Sequence, residues 1–290
     1  AGYPLFNAPT EAAQSMKDTG YDVVDLAHNH ILDSQLSGAL NTVKTFNDLG
    51  LDTIGIYKED RAKESFLIKK VNGIKIAILG YAYGYNGMES NLTEEEQAAH
   101  LSNLDEKKIK AELKSAEKKA DVTIVMPQMG TEYALEPTEE QKTLYHKMIK
   151  WGADVIFGGH PHVTEPSETV KQDGQNKFII YSMGNFISTQ DEYPRLIGGM
   201  AEITVQLKGQ GDNAQLSVLD YGLEPLYTHY NHNTGVYTVY KFRDYTDELA
   251  LQNGLNGKNG VTLSRQVIWD EFDEIMSTPI EQPGAVSVVQ

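Results

Sequence analysis

Apolar residues in this chain come in short runs separated by segments of helical spacing. Tyr21 to Ala27 reads as a buried strand, and Leu36, Leu40, Val43 and Phe46 then follow at the spacing of one helix face. Gly50 stands where a C-terminal cap belongs, and Asp52 to Ile56 is the next short strand. Such a strand–loop–helix–strand unit predicts parallel α/β organisation. Ahead of it, Pro9 to Lys17 reads as a short helix closed by Gly20.

Further on, Phe66–Val71 and Ile74–Leu79 flank Asn72-Gly73, the strongest short-range hairpin signal. The charged stretch from Glu94 to Lys119 predicts two helices broken near Ser102 to Asp105. Val122 to Met126 is a buried strand, and Thr138 with Gln141 resembles a capping box opening a helix that runs to Lys150. Asp154 to Phe157 is another strand. Glu168–Lys171 and Phe178–Tyr181 form a hairpin around Asp173-Gly174, and Met200–Leu207 and Leu216–Tyr221 alternate as antiparallel strands around a Gly/Asp/Asn turn. Beyond Tyr227 the pattern weakens, with only Ser264 to Met276 reading as a helix.

Composition narrows the field. At 290 residues the chain has ample core for one large domain or two small ones. No apolar run approaches the ~20 residues needed to cross a bilayer. The opening Ala1-Gly2-Tyr3-Pro4 looks like the middle of something, so a leader or anchor is expected upstream. A balance of 25 basic against 41 acidic residues, net −16, argues against a nucleic-acid groove. It also discourages polyanionic ligands unless local cations reverse the field. The absence of cysteine excludes disulfides, thiolate ligands and cysteine nucleophiles.

Candidate chemistry gathers at strand ends, where ligands bind in open α/β sheets. The first cluster is Asp25-Leu26-Ala27-His28-Asn29-His30 with Asp33, and the second is Gly158-Gly159-His160-Pro161-His162-Val163. Imidazole nitrogens and an amide oxygen are donors suited to Zn, Mn or Fe. Asp33 either orients the His30 ring or caps the helix beginning near Gln35, and the cap is the expectation. In an extended loop His160 and His162 would point the same way, with Pro161 restricting the backbone and the glycines letting the main chain approach a ligand. Gln128-Met129-Gly130-Thr131-Glu132-Tyr133 ends another strand. There Glu132 is a ligand, a base or, as its local setting favours, a solvated loop carboxylate. Asn185, in Ser182-Met183-Gly184-Asn185-Phe186, either shapes a pocket rim or simply turns the chain. His229 and His232 read as surface residues. No serine sits in a nucleophile elbow, and no phosphate-cradling glycine loop with a following lysine occurs.

Taken together, these segments resemble the CapA/PgsA-type capsule-biosynthesis proteins, the poly-gamma-glutamate synthesis family, a branch of the calcineurin-like metallophosphoesterase fold. The matching pieces are Phe6-Asn7-Ala8-Pro9, Gly20 to His30 with Asp33, Gly38 to Gly55, Gly130-Thr131-Glu132-Tyr133, Gly158 to Val163 and Ile180 to Ile187. They occur in the family's order over roughly residues 5 to 228.

The resemblance implies an α/β fold of two packed mixed sheets flanked by helices, a four-layer α/β/β/α sandwich lacking its N-terminal strand in this span. Residues 1–228 would form that domain, and 229–290 an extension packing on it. Asn29, His160 and His162 would stand as metal ligands. His30, supported by Asp33, would contact the phosphoryl oxygen or protonate the leaving group, and Gln128, Glu132 and Asn185 would line the pocket. In such enzymes two metals activate a bridging water and clamp the phosphoryl oxygens.

Two departures bear on this. The family's opening strand, with a Gly-Asp motif and a following Asn-Leu-Glu, is expected before Phe6, and Gln128-Met129-Gly130 replaces the usual His-Trp-Gly. The remaining donors are neutral, so a divalent metal (Mn, Fe or Zn) is expected to bind weakly in this span or not at all.

The function so implied is synthesis, export or anchoring of an anionic surface polymer such as poly-gamma-glutamate. The alternatives are a metal-dependent phosphodiesterase or phosphatase, and a non-catalytic polymer-binding module. Expected partners are the polymer or its synthesis machinery and a membrane reached through a segment outside this sequence, with no nucleic acid. The expected location is the extracellular face of a bacterial, Gram-positive membrane.

Overall fold

The computed structural model describes residues 2–58, 65–209 and 215–280. Two compact units emerge: Ala1–Gln128 with Lys150–Val155, and Met129–Ile149 with Ile156–Gln290. Among the described residues the strands fall into three sheets, of which the largest is six-stranded and mixed, with helices against it. This is the α/β architecture that the motifs imply.

The first unit opens with α1 (Thr10–Thr19), which Gly20 ends in the left-handed conformation at φ 102°. Strand β1 (Val23–Asp25), helix α2 (Gln35–Asp48) and strand β2 (Asp52–Ile54) follow, with β1 and β2 parallel and Val23 opposite Asp52. The predicted strand–loop–helix–strand unit is therefore present. Its strands are shorter than the apolar runs, because Leu26, Ala27 and Ile56 are buried as loop residues.

Next, β3 (Leu67–Val71) and β4 (Ile74–Ala82) form the hairpin that Asn72-Gly73 predicts. Asn72 has φ 50° and Gly73 has φ 90°, the two positive angles of a primed turn. Helices α3 (Glu94–His100) and α4 (Glu106–Glu117) break where expected, α3 opened by a Thr93/Glu96 capping box and α4 by Asp105. Strand β5 (Val122–Gln128) then pairs parallel with β4. The unit's apolar cluster includes Val24, Leu26, Leu32, Val43, Phe46 and Leu51.

The second unit contains α5 (Glu139–Lys150), whose start is closed reciprocally by Thr138 and Gln141. Strand β6 (Val155–Phe157) is followed by the hairpin of β7 (Thr164–Gln172) and β8 (Gln175–Met183), turned at Asp173 and Gly174. These complete the sheet order β3-β4-β5-β6-β8-β7.

Strands β9 (Ile197–Lys208) and β10 (Gln215–Asn231) are antiparallel, as alternation predicts. Residues 210–214 of their predicted turn lie outside the described residues. Past Tyr227, where the sequence pattern weakens, β10 continues to Asn231 and pairs with β11 (Val236–Lys241). Helices α6 (Asp247–Gln252) and α7 (Arg265–Ser277) finish the unit. Phe242, Tyr245, Ile268 and Phe272 share one core cluster with Leu196, Ile197 and Tyr227, so residues 242–272 pack into the core of this unit. Among the described residues, no helix is long and apolar enough to cross a membrane.

His229 departs from expectation. It is 4% exposed, and its Nδ1 lies 3.0 Å from the Tyr245 hydroxyl. Its partner comes from sixteen residues downstream, out of reach of local pattern. His232 is exposed, as expected.

Candidate functional site

The site residues expected from the sequence fall in both units. In the first unit, the loop after β1 turns through Asn29 and His30. His30 Nδ1 lies 2.9 Å from Asp33 Oδ2, and the same oxygen accepts the Phe6 N–H at 2.7 Å. Asp33 is therefore the orienting carboxylate and not the helix cap. Position N-cap belongs to Ser34, whose side chain makes no capping bond.

Because a carboxylate only accepts, His30 Nδ1 carries a proton, and in the neutral ring Nε2 holds the lone pair. Phe6 stands edge-on to the His30 ring, with centroids 4.7 Å apart. His28, on the other side of Asn29, accepts the His30 N–H on its Nδ1. Burial, then the neighbouring His30, lowers its pKa to about 4, so His28 is a neutral ring with its proton on Nε2.

Asn29 is 6% exposed and locked by two amides. Gln128 Oε1 accepts the Asn29 backbone N–H at 2.8 Å, while Gln128 Nε2 donates to Asn29 Oδ1 at 3.1 Å. Asn29 Nδ2 in turn donates to Asn86 Oδ1 at 3.2 Å. The structure thus brings Asn29, His30, Asp33 and Gln128 together, and adds Phe6, His28 and Asn86. Asn86, at φ 54°, carried no signal in the sequence beyond its Tyr-Asn-Gly turn.

Replacing Gln128 with Ala would strand a buried main-chain N–H and leave Asn29 Oδ1 without its donor. The expected cost is roughly 1–3 kcal/mol, read as a lower urea midpoint at unchanged slope. An unaltered midpoint would show that the amide pair holds nothing.

In the second unit, Gly158 crosses against β8: a Cβ there would lie 1.9 Å from the Tyr181 carbonyl oxygen. This close approach is to the chain's own backbone, whereas the sequence suggested approach to a ligand. The loop beyond is not extended either. His160 has φ 106° and His162 φ 63°, a region that favours glycine. The turn is held from outside: the Pro161 carbonyl accepts the Tyr133 N–H at 2.7 Å, and the His162 carbonyl accepts Asn185 Nδ2 at 3.0 Å.

Asn185 is more than a rim residue. Its Nδ2 faces three acceptors, the His162 and Arg195 carbonyls and Gln190 Oε1. That fixes the amide's orientation, because carbonyls cannot donate. Its Oδ1 therefore faces His162 Nδ1, at 2.9 Å, and accepts its proton. In the neutral ring this leaves the His162 lone pair on Nε2, the arrangement by which a second residue sets a metal-binding tautomer. Tyr133 stacks on His162 at 5.9 Å, and the Arg195 guanidinium covers the Tyr133 ring at 3.7 Å. Neither Tyr133 nor Arg195 was singled out in the sequence. Glu132 is exposed in its turn, the solvated carboxylate that its local setting favours.

The donors described do not by themselves make a metal centre. Asn29 Oδ1 already accepts from Gln128. Among the described residues, no three His, Asp or Glu side chains are gathered closely enough to hold an ion.

The bacterial capsule synthesis protein family PGA_cap matches residues 1–190, well over half of the sequence. The chain belongs to that family. Capsule biosynthesis protein CapA of Bacillus anthracis is 31% identical over 187 residues, covering 63% of this chain and 44% of that protein. PGA biosynthesis protein CapA of Bacillus subtilis (strain 168) is 32% identical over 181 residues, covering 62% and 46% respectively. The PGA_cap chain thus spans less than half the length of the curated relatives it matches. Among solved structures, a Staphylococcus aureus protein described as a "putative 5'-nucleotidase", in complex with alpha-ketoglutarate, superposes with a TM-score of 0.50. It is 18% identical, and the match covers 73% of this chain and 39% of that one. At that identity the likeness extends to the phosphoesterase-like fold alone.

Proposed function

We propose that this chain is part of a protein that makes, exports or anchors an anionic capsule polymer of the poly-gamma-glutamate type, working at the extracellular face of a bacterial membrane. The polymer or its synthesis machinery is its partner, and residues 1–228 carry the family domain, with 229–290 as its extension. The family match over residues 1–190 is the observation that carries this reading. Removing the parent protein from its host should sharply lower surface polymer, measured per cell after extraction. Surface polymer at its ordinary level would sink the proposal.

Within this reading His30, oriented by Asp33, is the group placed to exchange a proton with a bound ligand. His162, oriented by Asn185, supplies a second fixed nitrogen. Divalent-metal hydrolysis of a phosphoester would need anionic ligands beside such neutral donors.

The amide pair of Gln128 and Asn29 favours a second reading, a polymer-binding module without metal chemistry. Elemental analysis of the full-length protein separates the two. Mn, Fe or Zn well below one per chain supports the binding module, and a full equivalent retained through dialysis removes it.

A further inference from the structure

Outside the family-matched residues, the second unit carries a cavity of about 500 Å³ that no part of the proposed chemistry uses. Its walls include Glu224 from β10, Phe242 and Arg243 just after β11, and Arg265, Gln266 and Trp269 from the first turns of α7. Two of the chain's four arginines and one of its two tryptophans therefore meet around one hollow. In a chain of net charge −16, that concentration of guanidinium is the exception.

The groups are poised for a ligand. Arg265 lies over the Phe242 ring at 5.1 Å and donates from Nη2 to the Phe242 carbonyl at 3.5 Å, contacts that hold its planar fork at the rim of the hollow. Arg243, with its side chain 64% exposed, meets Glu224 at 3.4 Å, an open pair worth little and readily exchanged. Phe242 and Trp269 lie 5.4 Å apart at 34°, and Trp269 is 40% exposed, giving an apolar wall beside the cations. Two acids close by in the sequence are held by hydrogen bonds: Asp247 accepts the Arg265 backbone N–H, and Asp270 accepts from the Gln266 side chain.

We infer that this hollow is a docking site for the carboxylate-bearing capsule chain, with Arg243 and Arg265 taking carboxylates of successive residues and Trp269 packing on the methylene stems between them. Guanidinium is the side chain suited to paired, bidentate contact with carboxylate. An acidic protein that handles a polyanion needs cations at the point of contact, and Arg243 and Arg265 supply them here. The inference rests on the polymer reading above, but its test is independent of it.

The probe is a fluorescein-labelled γ-glutamyl decamer, titrated with the intact protein and followed by anisotropy. Saturable binding is expected, weakening on the order of tenfold in Arg243→Gln/Arg265→Gln and falling as salt rises. The unfolding midpoint of each variant is measured alongside, and Lys258→Gln, a charge change elsewhere on the same unit, should bind as wild type does. No binding, binding indifferent to the two arginines, or equal competition by an uncharged oligosaccharide would overturn the site. Those results would leave the polymer reading standing, since that reading falls only if surface polymer survives loss of the parent protein.

Discussion

Gly158→Ala should destabilise the protein severely, by roughly 3 kcal/mol or more. The added Cβ would sit 1.9 Å from the Tyr181 carbonyl oxygen, 2.7 Å from its carbon and 2.9 Å from the Tyr145 hydroxyl. The backbone has no room to retreat. Gly158 donates its N–H to the Ile180 carbonyl at 2.9 Å and accepts the Met183 N–H at 3.2 Å, so relief would tear β6 from β8. Gly159 is the built-in control, because a Cβ there meets nothing within 4 Å. Urea unfolding of both alanine variants checks this. A loss at 158 with a near-wild-type midpoint at 159 is expected, and equal midpoints would contradict the close crossing.

Glu165→Gln should stabilise the protein at mildly alkaline pH and flatten its pH dependence. Glu165 is fully buried; Oε2 accepts from Gln141 at 2.8 Å, while Oε1 has no hydrogen-bond partner among the described residues. Burial pushes its pKa from 4.5 up to about 8. Between those values the folded chain holds a proton that the unfolded chain releases, so stability falls as pH rises through that window. The full contribution is present below the lower value, and above the upper one a buried carboxylate must be tolerated. A glutamine keeps the acceptor without the charge, for an expected gain on the order of 3 kcal/mol at the alkaline end. Asp25, raised to about 8 by burial, slopes the same way in both proteins and cancels from the difference. Parallel curves for wild type and variant would show that Glu165 does not bind that proton.

Much of the architecture was legible because it is set locally. Asn72-Gly73 and Asp173-Gly174 make their turns through their own positive φ angles, and Thr138 with Gln141 closes a helix within one turn. The site residues were legible by type and place more than by geometry. His160 and His162 were expected on an extended segment, yet contacts from Tyr133 and Asn185, more than twenty residues away, hold them in a twisted one. Asp33 looked like a cap because its true partners are the His30 ring and the Phe6 N–H, neither of which local helix pattern reveals. Strand β11 was missed because Tyr, Thr and Val share it without a clear apolar face, and its identity comes from pairing with β10.

The central claim is that the oriented imidazoles at these strand ends serve capsule-polymer production. A host lacking the parent protein would be complemented with the full-length protein carrying His30→Ala or His162→Ala, and polymer per cell measured at matched protein levels. Each variant should lower polymer on the order of tenfold or more. Polymer at the wild-type amount from both would contradict the account.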